Sequence, residues 1–162
     1  MNNDMKARVI SLLESYPVRE RQIALLHYEM QHPSRITPDE MIDGMSLSHG
    51  DNPGGSGKGH ISNKTMYIAL NYQEQMDRMN AEAADEIAQR LLELEGEQDR
   101  LRYYVSLLEK REAEALRLFY FEGRSWEETA KELGVVLRLV YKIKSKAIDH
   151  LADLYAYKTG LN

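Results

Sequence analysis

Apolar residues recur at spacings of three and four along most of the chain, and the places where that rhythm stops divide it into elements. Met5, Val9, Leu12, Leu13 and Tyr16 share one face of a helix over residues 3–16, which Pro17 is expected to end. Ile23, Leu26 and Met30 mark a second helix from Val18 to Met30, closed by His32-Pro33. Thr37-Pro38-Asp39-Glu40 has the form of a capping box with proline at the first helical position, and predicts a short helix to about Gly44. The rhythm then disappears. Residues 45–64 are dense in Gly, Ser and Asn, the composition of a linker, and they follow an N-terminal helical region at 1–44.

After Pro53 there is no further proline, so long helices are permitted. Over 65–108, Ala84, Ile87, Leu91, Leu94, Gln98, Leu101, Val105 and Leu108 alternate at three and four, a heptad-like seam with coiled-coil potential. At about 1.5 Å per residue such a helix would be roughly 65 Å long, more than it can bury alone. It needs a partner. A second copy meeting it along Ile87, Leu91, Leu94, Leu101, Val105 and Leu108 would make a homo-oligomer, most simply a dimer; packing against the N-terminal helices is the competing solution. Gln98, polar and close to Gly96, marks a candidate register break or kink.

From Glu109 onward short helices alternate with turn signals. Ala113, Leu116, Leu118, Phe119 and Phe121 give one helix, stopped at Glu122-Gly123-Arg124; Ser125 is a natural N-cap for the next, Trp126 to Leu133, with Glu127 and Glu128 in its first turn. Gly134 ends that helix, and a third runs from about Leu137 to Tyr155 with Val140, Ile143, Ala147 and Leu151 inward. Ala130 is small enough to let the two cross closely. Two helices joined by a tight glycine turn form a helix-turn-helix pattern, within a domain spanning 109–158.

Residues 107–151 resemble the C-terminal helix-turn-helix, region 4, of sigma-70-type factors. The likeness is carried by Arg111-Glu112, Tyr120-Phe121-Glu122-Gly123, Ser125 to Ala130, Leu133-Gly134-Val135, Val140, Ala147 and Leu151. The whole chain is also similar to phage-encoded regulators of the ArpU and RinA type, in which a stretch like His60 to Thr65 and a long helix precede the same module. The resemblance implies an all-α protein that binds promoter DNA and regulates phage or prophage genes.

The residues supply a surface for that task. Between 137 and 151, Arg138, Lys142, Lys144 and Lys146 face one acid, Asp149. Arg138, Leu139, Tyr141, Lys142, Ser145 and Lys146 are the candidate contacts to base edges in a major groove, and Arg124, Ser125, Lys131 and Lys144 the candidate phosphate contacts. Where the sigma-like family usually has a polar cap, this chain has Leu137, and Leu139 stands where a small or polar residue is common. Either these leucines contact thymine methyl groups, or protein covers this surface.

Composition narrows the remaining choices. The chain has 162 residues and a net charge of −5, which taken alone disfavours a nucleic-acid partner. The excess is local: between Gln73 and Arg100, nine acids stand against three arginines, leaving the rest of the chain slightly positive. With no cysteine there is no disulfide, thiolate metal site or thiol nucleophile, which fits a reducing cytoplasmic setting. No apolar run is long enough to span a membrane. The loop around Gly57-Lys58 lacks the Ser or Thr and the spacing of a phosphate-binding loop, and His49, Asp51 and His60 lie among glycines without fixed geometry for a metal. No enzyme, metal or cofactor is expected. The expected partner is double-stranded DNA. The alternatives are a factor that engages RNA polymerase or a sigma factor with weak DNA contact, and a phage DNA-packaging subunit.

Overall fold

The computed structural model describes residues 2–35 and 63–160, and every regular element among them is a helix. They are α1 (Asn2–Glu14), α2 (Tyr16–Gln31), α3 (Asn63–Ser106), α4 (Lys110–Leu116) running on into a π-helical turn (Arg117–Phe121), α5 (Trp126–Leu133) and α6 (Leu137–Thr159). The all-α architecture read from the sequence is the one found. The capping box at Thr37 to Glu40, the short helix to Gly44, most of the linker, and His49, Asp51, Lys58 and His60 lie outside the described residues. Pro17 does not end the first helix. The break falls at Ser15, and Pro17 sits in the first turn of α2, where a missing N–H leaves no helical bond unmade.

The chain divides into two compact units, Met1–Leu25 with Leu91–Asn162, and Leu26–Arg90. The apolar face of α1 is what joins the two stretches of the first unit. Val9, Leu12 and Leu13, with Tyr16, join one cluster with Leu101 and Val105 of α3, Leu116 of α4, Tyr120 of the π turn, and Ala147, Ile148, Leu151 and Tyr155 of α6. Leu13, Leu101, Leu116 and Leu151 are fully buried, each contributing about 2 kcal/mol of apolar transfer. The seam of α3 is therefore largely committed inside the chain. Leu91, Leu94, Leu101 and Val105 are buried, whereas Ile87 and Leu108 are half-buried. In the other unit, Tyr28 stacks on His32 at 4.2 Å and the acids Glu74, Asp77, Glu82, Asp85 and Glu86 are exposed.

No break occurs at Gln98, because a partner exists for it. α3 runs without interruption from Asn63 to Ser106, and Gln98 is fully buried. Arg19 Nε donates to Gln98 Oε1 at 2.8 Å, and Gln98 Nε2 donates to the Tyr16 carbonyl at 3.1 Å and to Glu20 Oε1 at 2.7 Å. The other Arg19 nitrogens donate to Ser15 Oγ and to the Leu12 carbonyl at the end of α1. Glu97 lies 3.9 Å from Arg19 Nε and offsets its charge. Arg102 closes the rim, donating to the Tyr16 hydroxyl at 2.8 Å and pairing with Glu20 and Asp99. Buried Arg19, with Arg102 at the rim, thus ties the α1–α2 corner to α3.

The π turn adds one residue to the end of α4: the Glu122 N–H donates to the Arg117 carbonyl, five residues back, at 2.9 Å. Phe121 stacks on Tyr16 at 4.2 Å, and Phe119 stacks on Trp126 at 3.6 Å, so the turn bridges the N-terminal corner and the start of α5. Lower on α6, His150 Nδ1 donates to the buried carboxylate of Glu112 at 2.9 Å. That hydrogen bond and the Glu112 charge hold the His150 pKa above its ordinary value.

Arg19→Ala strands the Gln98 and Leu12 carbonyl oxygens and should lower stability by about 3 kcal/mol, read as a drop in the urea midpoint; an unchanged midpoint contradicts the role given to Arg19. The His150 pair carries the opposite kind of dependence from a carboxylate. Because the folded pKa is raised, its stabilisation is complete below the unfolded value of 6.5 and is lost as pH rises through the folded pKa. The advantage of the wild type over His150→Gln in urea midpoint should therefore shrink on going from about pH 6 to about pH 9.

Candidate nucleic-acid interface

The bounds of α5 and α6 are fixed by local sequence. Ser125 and Glu128 form a complete capping box: the Glu128 N–H donates to Ser125 Oγ at 3.1 Å and the Ser125 N–H to Glu128 Oε2 at 2.9 Å. Thr129 Oγ1 donates to the Ser125 carbonyl at 2.8 Å, and Thr129 and Ala130 are buried under α6. Gly134 ends α5 at φ 65°, a left-handed conformation that a side chain would strain, and the Val135 N–H donates back to the Ala130 carbonyl at 3.0 Å. This tight turn sets the crossing of α5 and α6.

Rotation of α6 follows from its inner face. Val140, Ile143, Ala147 and Leu151 are buried as the spacing requires, so Arg138, Lys142 and Lys146 face outward with Ser145. All four are exposed, as are Tyr141 and Leu139 at 48% and 37%. Among the described residues no carboxylate lies within 4.0 Å of Arg138, Lys142, Lys146 or the exposed Lys131. The single acid between 137 and 151 is different. Asp149 is held by Lys6 Nζ of α1 at 2.6 Å, which removes its repulsion from an approaching anion.

Three of the four phosphate candidates are already engaged, and Lys131 is not. Ser125 uses an oxygen lone pair on its own cap and keeps an O–H to donate. Arg124 is exposed but lies 3.3 Å from Glu122 and 3.6 Å from Glu132, so a phosphate has to displace carboxylates. Lys144 is half-buried, its Nζ 4.9 Å from the Trp126 ring centroid, a cation–π contact that aims it along the side of α6. Tyr141, Lys144, Ser145 and Asp149 line a groove of about 350 Å³ shared with Lys6 and Ile10 of α1. α1 therefore forms one wall of the groove beside α6.

The start of α6 is apolar. Val136, not Leu137, occupies the N-cap, in extended conformation (φ −74°, ψ 151°) and with no side-chain hydrogen bond to the helix. Val136 is 71% exposed, and Leu137 is half-buried.

Residues 98–151 match the family model for sigma-70, region 4. The match takes in the end of α3, α4 with its π turn, α5 and most of α6, a third of the chain, and this part is a sigma-70 region 4-like helix-turn-helix, a DNA-binding regulatory kind of domain. No curated protein and no solved structure matches the chain. Among the described residues no helix is long and apolar enough to cross a membrane, and no cluster of His, Asp or Glu is arranged to hold a metal ion.

Sequence reasoning found the outward residues of α6 from its periodicity, but not Lys6, which stands 143 positions before Asp149 and carries no local signal. Nor did it find Trp126 as the seat of Lys144. Lys6→Gln should weaken duplex DNA binding about two- to fivefold by uncovering Asp149, and the further change Asp149→Asn should restore it, since only a few tenths to 1 kcal/mol is at stake in an exposed pair. Failure of Asp149→Asn to restore binding, measured by fluorescence anisotropy, would assign Lys6 a direct contact instead.

Proposed function

We propose that this chain is a DNA-binding regulator of transcription from phage or prophage genes, with α6 lying in the major groove of double-stranded DNA. The observation that carries this reading is the outer face of α6, where Arg138, Lys142 and Lys146 stand exposed without a carboxylate partner while the one acid among them is neutralised by Lys6. Arg138, Leu139, Tyr141, Lys142, Ser145 and Lys146 then face base edges, and Arg124, Ser125, Lys131 and Lys144 the phosphates on either side. The region 4-like match supports the DNA-binding part. The choice of target genes rests on the resemblance read from the sequence to phage regulators of the ArpU and RinA type. Pairing of two copies, which would present two recognition helices to a two-fold site, has to use surface other than the buried Leu91, Leu94, Leu101 and Val105.

The exposed apolar tip at Val136 and Leu139 favours a second reading, engagement of RNA polymerase or a sigma factor. One experiment separates them. Arg138→Ala with Lys142→Ala should lower affinity for duplex DNA roughly tenfold or more and flatten the salt dependence by up to about two units of log–log slope, with the helical circular-dichroism signal unchanged. Undiminished binding would remove α6 from the interface, and a polymerase pull-down that survives both substitutions would support the protein-binding reading.

A further inference from the structure

The start of α6 departs from an ordinary polar helix entrance in a way that has chemical content. Val136 at 71% exposure and Leu139 at 37% are three residues apart, on adjacent turns of backbone, and they present branched methyl groups to solvent at the end of the helix that the DNA-binding reading puts deepest in the groove. A hydroxyl or carboxamide at the N-cap would satisfy the first amides of the helix; the Val136 side chain satisfies none, and only its carbonyl accepts, from the Leu139 and Val140 N–H groups. The helix forgoes that stabilisation and exposes apolar surface instead.

The surroundings say what this surface fits. Arg138 lies between the two apolar residues in sequence, Lys142 follows Leu139 by three positions and Lys146 by seven, and no carboxylate among the described residues approaches any of these cations within 4.0 Å. An apolar patch set in uncompensated positive charge complements a polyanion that itself displays methyl groups. Duplex DNA does so at one place, the C5-methyl of thymine in the major groove.

We propose that α6 reads thymine through Val136 and Leu139, whose side chains pack on the C5-methyl groups while Arg138 and Lys142 supply the charge. This rests on the DNA-binding reading above and adds the base that the apolar tip selects. Leu139 is the better placed of the two, since it lies on the same outward side of α6 as Lys142 and Lys146; Val136 extends the patch by one step.

The test uses the full chain and DNA recovered by selection from a random-sequence duplex library, resynthesised with thymine or with deoxyuridine, which lacks only the methyl group. The thymine duplexes should bind about three- to fivefold more tightly for each methyl contacted. Leu139→Ala should reduce that ratio toward one, lowering affinity for the thymine duplexes more than for the deoxyuridine duplexes, with the salt slope unchanged because no charge is removed; Val136→Ala should do the same in smaller measure. Both residues are exposed, so neither change disturbs the core. Equal binding of the two duplexes by the wild type would overturn the proposal and leave the DNA-binding reading standing. A thymine preference that survives both substitutions would also overturn it, and would place the reading of the methyl groups on other residues. Absence of binding to either duplex at low salt would instead sink the DNA-binding reading itself.

Discussion

Arg19 is the residue on which the rest of the larger unit depends. A guanidinium removed from water must find acceptors in several directions at once, and here they come from Gln98 on α3, from Ser15, and from the Leu12 carbonyl at the end of α1. Those acceptors sit on α3, at the end of α1 and at the break between α1 and α2, so satisfying one buried charge fixes the angle of the α1–α2 corner and its height on α3. Apolar packing alone would tolerate a slide along the seam; the directional bonds to Gln98 do not. The polar residue in an otherwise apolar stripe sets the register, the kind of specificity for which buried polar groups are best attested.

The consequence reaches α6. With α1 held by Arg19, its outer edge runs beside α6 and delivers Lys6 to Asp149. The Phe121–Tyr16 and Phe119–Trp126 stacks on either side of the π turn carry the same N-terminal corner to the foot of α5. A segment at the opposite end of the chain is thus built into the helix-turn-helix, supplying both core and charge. The negative total of the chain does not oppose DNA binding, since its excess acids are concentrated between Gln73 and Arg100 and the outer face of α6 is positive.

What could be read from the sequence is what depends on near neighbours. The boundaries of α5 and α6 follow from Ser125, Glu128 and Gly134, and the inward set Val140, Ile143, Ala147 and Leu151 from a spacing of three and four. The apolar stripe of α3 was equally plain, but not what would cover it: periodicity shows that a face is buried and is silent about its partner. Gln98 illustrates the limit. Taken with Gly96 it looks like an interruption, and only Arg19, 79 positions away, makes it a junction. The π turn, the Glu112–His150 pair and the Lys6–Asp149 bridge are contacts of the same long-range kind. Pro17 was overvalued as a terminator, because proline disrupts a helix interior but not its first turn.

The central claim is that duplex DNA is met by α6, in a unit that α1 completes. Backbone amide shifts followed by NMR while duplex DNA is added to the full chain test it most directly. The account predicts that the large changes cluster at the start of α5 and from Val136 to Lys146, with smaller ones near Lys6. Changes concentrated on any other surface, or none at all at low salt, would contradict it.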